Sequence, residues 1–299
     1  MEEVSQFNSN VSNIKRTDDI ATPLKISVIT MCFSIKTQLN LKNTQLDLKN
    51  LYNSKNLRSN WSFVYEPLAK KHIASEITTR STKKNSTKKV KSTFYNCLMI
   101  NFKYKDLFNI SCKIFPNGSV QVAGLKTIEH AHEIPQILFT FIKDCVENVE
   151  NVENVENVEN KTLCLTDLKI NMINTNFELK KKVNQIVLKN ILNDLYKYNG
   201  SSGLFRLATF YPEQYQGINI KFWSSVARLK YKDYFLNINN SIKPVNKIPK
   251  NKIEGQVSIF IFRSGKVSIT AAKNTTELSE AYFGLTDIIK KHQNDIFID

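Results

Sequence analysis

The chain has 299 residues, with 42 Lys and Arg against 27 Asp and Glu, a formal net charge of +15 and a pI near 9.4. Its hydrophobic content of 41% excludes a wholly disordered polymer, and the basic balance favours a polyanionic partner, nucleic acid before an anionic membrane. No apolar run reaches the roughly 18 residues of a membrane span, and Met1-Glu2-Glu3 does not open a signal peptide, so a soluble protein inside a cell or particle is expected.

In chain order, residues 1–22 are polar, lack periodicity and read as a disordered tail. A strand follows over about 24–36, then a helix over about 44–53. Residues 53–92 carry STKKNSTKKVKS and read as a solvated Lys-rich insertion, either a flexible loop or a basic patch for phosphate or nuclear import. A hairpin turned at Pro116-Asn117-Gly118 comes next. The helix after it meets Pro135, so it should begin near Ile134 or kink there. From Val146 to Asn160 the triplet Val-Glu-Asn occurs five times, a linker or a helix extension with no apolar stripe of its own. It adds five Glu, so the rest of the chain carries +20. Beyond it come a strand near 168–180, a helix near 183–197, a hairpin turned at Arg263-Ser264-Gly265 and a closing helix. That helix is capped by Asn274-x-x-Glu277 and carries Leu278, Tyr282, Leu285 and Ile288/Ile289 at helical spacing.

These elements are one unit written twice. Leu24–Lys36 lies over Leu168–Lys180 without a gap, with six of thirteen pairs identical. Ile110–Lys126 lies over Val257–Lys273, with six of seventeen identical, and the two offsets, 144 and 147, nearly agree. The expected domains are a first repeat at 23–145, a linker at 146–160 and a second repeat at 161–299. The fold class is α+β, a helix-covered antiparallel sheet made twice with pseudo-twofold symmetry. The five cysteines are scattered and odd in number, which fits reduced, mostly buried thiols better than disulfides or zinc. Lys outnumbers the six Arg, and Asn and Ile are abundant, so an AT-rich coding sequence accounts for part of the charge.

Strand parity assigns the faces. Ile259, Ile261, Val267 and Ile269 should lie under the helices, with Phe260, Phe262, Ser268 and Thr270 opposite. In the first repeat Ile110, Cys112, Ile114, Val120 and Val122 form the core side, with Ser111, Lys113, Phe115, Gln121 and Ala123 opposite. An aromatic at the turn end of a polar face has the form of a wedge for stacked bases. The alternative is that Phe115 and Phe262 cap the core at the hairpin.

The second repeat resembles the TATA-box-binding protein family, whose repeats end in IF-x-SGK-x-x-x-TGAK. Here Ile261–Lys273 reads IFRSGKVSITAAK, with Ala271 for the Gly, and Ile114–Lys126 is a weaker match. Phe210–Ile218, FYPEQYQGI, is similar to the family's SYEPELFPGLIYR, and Leu46–Lys49 to its LDLK. The likeness covers roughly 24–144 and 163–293 and suggests a divergent member, such as those of large DNA viruses. It implies a saddle-shaped curved sheet with helices on the convex face, straddling double-stranded DNA as a monomer. In this family minor-groove binding kinks the duplex. The resemblance places wedges at Phe115, Phe262, Tyr215 and Phe94. It places groove-facing residues at Val28, Thr30, Met172, Asn174, Gln121, Ser268 and Thr270, and phosphate contacts at Lys126, Lys221, Lys266 and Lys273. Implied partners are a transcription factor IIB-like protein and RNA polymerase subunits, with no cofactor and no membrane, in a nucleus or, for a viral protein, a viral factory or virion.

The sequence departs from the family where it matters for base reading. The family's paired asparagines correspond to Val28 and Met172, which cannot hydrogen-bond a base edge, and its groove-facing valines to Gln121 and Ser268. Altered or relaxed sequence preference is therefore expected. No nucleophile–base constellation accompanies the motifs, and Ser264-Gly265-Lys266 lacks the context of a phosphate-binding loop. Two functions remain open: a promoter-binding initiation factor, and a saddle kept as a protein-interaction scaffold in transcription.

Overall fold

The computed structural model describes residues 11, 14–15, 20–37, 46–65, 96–105, 108–150, 162–199, 205–230 and 255–298. In chain order the elements begin with β1 (Lys25–Thr37), α1 (Leu48–Asn53), a 3-10 helix (Ser54–Arg58), β2 (Ser62–Tyr65), β3 (Leu98–Tyr104), β4 (Phe108–Ile114) and β5 (Ser119–Leu125). Then come α2 (Ile128–Glu150), β6 (Leu163–Glu178), β7 (Lys182–Val183), α3 (Gln185–Asn199), β8 (Phe205–Tyr211), β9 (Tyr215–Trp223) and α4 (Ser225–Lys230). The chain closes with β10 (Gln256–Phe262), β11 (Lys266–Ala272), α5 (Thr275–Lys291), α6 (Gln293–Ile296) and β12 (Phe297–Ile298). Two compact units result, unit I from 30–125 and 131–169 and unit II from 1–29, 126–130 and 170–299.

Unit I pairs β2, β3, β4 and β5 antiparallel in that order, with the Thr30–Thr37 half of β1 next to β5. Asp47 starts α1 by accepting from the backbone N–H groups of Lys49 and Asn50 at 2.9 and 3.1 Å. From α2, Ile134, Leu138, Phe141, Ile142 and Cys145 are buried, and the Phe141 ring lies 5.3 Å from Trp61 and 5.7 Å from Phe63. Trp61 also stacks on Phe102 at 4.4 Å.

Unit II orders its strands β6–β11–β10–β9–β8, with β7 and β12 as a separate pair. Helix α5 packs on β10 and β11, and α3 on β8 and β9. Leu278, Ala281, Tyr282, Leu285 and Ile289 of α5 are fully buried against Val257, Ile259, Ile261, Val267 and Ile269. Each such side chain contributes about 1.5–3 kcal/mol relative to an exposed one. Asn274 Oδ1 accepts from the Glu277 N–H at 2.8 Å, while the Glu277 carboxylate reaches the N–H of Lys273, one residue before the cap. The core-face assignment from parity is met in both hairpins, as is the α+β class. Cys97, Cys112 and Cys145 are buried thiols in no disulfide, and burial raises all three pKa values, that of Cys145 to about 11.

Four expectations differ from what folds. The polar start is not loose up to residue 22: Val11, Ile14, Ile20 and Ala21 are buried, Ala21 bridges Leu179, and Thr22 N–H donates to the Glu178 carbonyl at 2.8 Å. Burying apolar side chains and closing backbone bonds holds a segment whose composition alone reads as tail. Asn53–Tyr65, expected within a solvated insertion, forms the 3-10 helix and β2 because Trp61 and Phe63 supply an apolar anchor; the STKKNSTKKVKS stretch itself lies outside the described residues. Helix α2 begins at Ile128 and contains Pro135, so the start near Ile134, the first of the two alternatives, is not met. Thr127 Oγ1 accepts from His130 N–H, and the apolar face on both sides of the proline outweighs one lost backbone bond. Of the triplet repeat, Val146–Glu150 extends α2, and the remainder lies outside the described residues. The units also divide inside β1 and β6, and so depart from the repeat boundaries.

Both hairpin turns use glycine at positive φ, 77° at Gly118 and 86° at Gly265. A second left-handed position recurs at the repeat offset: Gly124 at φ 99° and Ala271 at φ 69°. At Gly124 an added Cβ would lie 2.3 Å from the Asn109 carbonyl oxygen. Gly124→Ala is therefore expected to lower the unfolding free energy by about 2 kcal/mol or more. Ala271→Gly should raise it by about 0.5–1 kcal/mol, because relief of the left-handed strain exceeds the entropy of glycine. Urea unfolding of both variants checks the pair.

Candidate nucleic-acid interface

The face of each sheet away from the buried parity collects the expected site residues. In unit II, register sets them in rows across the strands. At the turn end Phe262 stands opposite Gly217, and Lys266 opposite Glu178. The next row reads Thr209, Asn219, Phe260, Ser268, Asn176. The row beyond contains Lys221, Ser258 and Thr270.

Three rings cluster at the turn end. Tyr215, 47% exposed, meets Phe260 and Phe262 edge-on, each with centroids 5.7 Å apart. They close over Gly217: a Cβ there would approach Tyr215 Cε1 to 2.8 Å and Phe262 Cε1 to 3.2 Å. Phe260 and Phe262 are half-buried, and the three rings form an apolar ridge at the turn end of a polar sheet face. Around the ridge, Lys221 Nζ donates to Ser258 Oγ at 2.7 Å, and burial holds its ammonium below the ordinary Lys pKa. Ser268 Oγ donates to Asn176 Oδ1 at 2.8 Å. Asn219 Oδ1 is buried with no partner. An open cleft of about 1190 Å³ runs from this face past the β10–β11 turn, lined by Lys25, Lys182, Arg263, Lys266, Glu178 and Phe262 among others.

The other expected residues distribute as follows. Phe115 is half-buried on the open face of unit I, beside Lys113 and exposed Ser111 and Gln121; Phe94 lies outside the described residues. Val28 and Met172 are half-buried, whereas Thr30, although of open-face parity, is only 9% exposed. Asn174 and Thr270 are half-buried, with Thr270 Oγ1 donating to the Ser258 carbonyl at 3.4 Å. Lys126 is exposed and its Nζ donates to the Ser27 carbonyl; Lys266 is exposed and Lys273 half-buried. Sequence reasoning did not select Phe260, Asn176, Asn219 or Gly217 as site residues. Parity carries the signal for all four, since each stands two residues from one already chosen. Among the described residues no group of three or more His, Cys, Asp or Glu is placed to hold a metal, and no helix is long and apolar enough to cross a membrane.

An α+β protein of two like units, each with a polar open face bearing aromatics, is the class these features define. The chain is 26% identical over 223 residues to a protein called "TATA-box-binding protein-like" from Acanthamoeba polyphaga mimivirus, a match covering 73% of this chain and 53% of that one. It therefore spans about half the length of that relative, whose name agrees with the family that the hairpin motifs resemble. No protein-family model matches it. Among solved structures, the TBP of Methanococcus jannaschii aligns with a TM-score of 0.46 at 17% identity, over 90% of this chain and 98% of that one.

Tyr215 can swing into solvent, so Gly217→Ala is expected to displace it from Phe262 while costing less than about 1 kcal/mol of stability. Loss of near-ultraviolet circular dichroism from the cluster, with a nearly unchanged unfolding midpoint, is the measurement.

Proposed function

We propose that this chain is a transcription initiation factor that binds double-stranded DNA in the minor groove through its open sheet faces. The observation that carries the reading is the Tyr215–Phe260–Phe262 ridge, with Tyr215 exposed, seated over Gly217 on a sheet face otherwise polar and basic. Apolar side chains inserted at a base step unstack it, and the bend so produced brings more phosphate to the protein surface. Tyr215 and Phe262 are the wedges of unit II and Phe115 that of unit I. Lys126, Lys221, Lys266 and Lys273 meet phosphates, and release of counterions from them supplies the sequence-independent affinity. The helices on the opposite side would dock a transcription factor IIB-like protein and RNA polymerase subunits, in a nucleus or a viral factory.

The scaffold reading has its own support in Val28 and Met172, apolar where the resembled family carries base-reading asparagines, and in Ile186, Val226 and Leu229, exposed on helices.

Mobility shift and end-to-end energy transfer on AT-rich duplexes separate the two. Binding should weaken steeply with salt, and the bound duplex should bend. Tyr215→Ala with Phe262→Ala should abolish most of the bend and reduce affinity about tenfold or more. Lys266→Ala should lower the log K against log salt slope by about one. Binding without bending, or a bend insensitive to the double variant, would sink the wedge assignment.

A further inference from the structure

Strand β6 places Asn174 and Asn176 two residues apart on the open face of unit II, about 7 Å along the strand. Each has its amide oriented by the neighbouring strand β11. Asn176 Oδ1 accepts from Ser268 Oγ at 2.8 Å, and Asn174 Oδ1 accepts from the backbone N–H of Ala271 at 3.3 Å. The second bond depends on the bulge: the β11–β6 register shifts between Ile269 and Ala272, and Ala271 takes φ 69°. Its N–H is thereby released from the strand ladder and turned toward Asn174. With both oxygens engaged, both amides present their Nδ2 hydrogens as donors.

We propose that Asn174 and Asn176 are the base-reading pair of this protein, donating to adenine N3 and thymine O2 in the minor groove. The inference rests on the DNA-binding reading and adds a polarity to it. An A·T pair shows only acceptors in that groove, whereas a guanine N2 amino group would oppose a donor. The corresponding positions of the first repeat, Thr30 and Cys32, carry no amide, and Val28 and Met172 carry no polar side-chain atom. The asparagine pair therefore comes from unit II, and its reading of A·T pairs falls in one half of the site.

The test uses the full chain and an AT-rich duplex in which 2,6-diaminopurine replaces adenine, adding a minor-groove amino group while preserving the pairing partner. A chain with one reading half can turn round on a symmetric site. Substitution in one half should then cost no more than about twofold, the statistical factor, whereas substitution in both halves should weaken binding about tenfold or more. In Asn174→Ala/Asn176→Ala that tenfold should shrink below about threefold, with salt dependence and bending retained. Ser268→Ala, which frees the Asn176 amide but leaves the strand pairing intact, should give an intermediate loss. Weakening well beyond twofold by a single half-substitution, or discrimination that survives the double variant, overturns this assignment while leaving DNA binding in place. If the wild-type chain binds no duplex, the DNA-binding reading fails and this one with it.

Discussion

Alternate side chains of the hairpin strands are driven out of water beneath the helices, and that constraint fixes the rest. Ile259, Ile261, Val267 and Ile269 lie against α5, with Ile110, Cys112, Ile114, Val120 and Val122 as their counterparts in unit I. Because side chains in a strand alternate strictly, burying one set commits the other to the open face. Register between strands then lines that second set into rows. A one-residue slip would exchange the sets, placing isoleucines in solvent and Ser268 and Lys221 in the core. Burial of about 1.5–3 kcal/mol per side chain over so many positions makes the slip prohibitive. The open face thus inherits its order from the core.

On that face two kinds of group divide the labour. The ridge of Tyr215, Phe260 and Phe262 supplies apolar volume at the turn end, and Gly217 gives the rings room to close. Away from the turn the surface turns polar through Asn174, Asn176, Ser258, Ser268 and Lys221, most of them tied to a neighbour by a cross-strand hydrogen bond. Such ties settle which atoms point outward before any ligand arrives, and pre-organisation of this kind lowers the ordering cost of binding. The backbone irregularity at Ala271 belongs to the same arrangement, since the strain it stores is what turns one N–H toward Asn174.

Much of this order is legible in the alternation of residue types alone. The period-two pattern around the two Gly-turned hairpins separates core from open face residue by residue, because a strand's geometry admits only that alternation. The capped, periodic α5 is equally clear from Asn274, Glu277 and Leu278. What the sequence hides depends on neighbours distant along the chain. Polar flanks mask the docking of Ile14, Ile20 and Ala21, whose burial comes from unit II. Pro135 signals a helix boundary locally, but Ile134, Leu138 and Phe141 pack on both sides of it and carry the helix through. Phe260 and Asn176 are visible by parity, yet their roles follow from the partners Tyr215 and Ser268 on adjacent strands.

The entry of the chain has a consequence of its own. Tyr282 donates its hydroxyl to the Thr22 carbonyl, Lys180 N–H donates to the Ile20 carbonyl, and Lys25–Ile29 belongs to the same unit as β11. The described residues from Ile20 to Ile29 are therefore a structural part of unit II, most of which is encoded after residue 169. Severing the backbone between the repeats would not release two self-sufficient halves. The leading fragment would keep its hold on the trailing one through a strand it contributes, so the repeats behave as complementing fragments that share a single polypeptide. The two copies written in the sequence therefore do not coincide with the two bodies that fold.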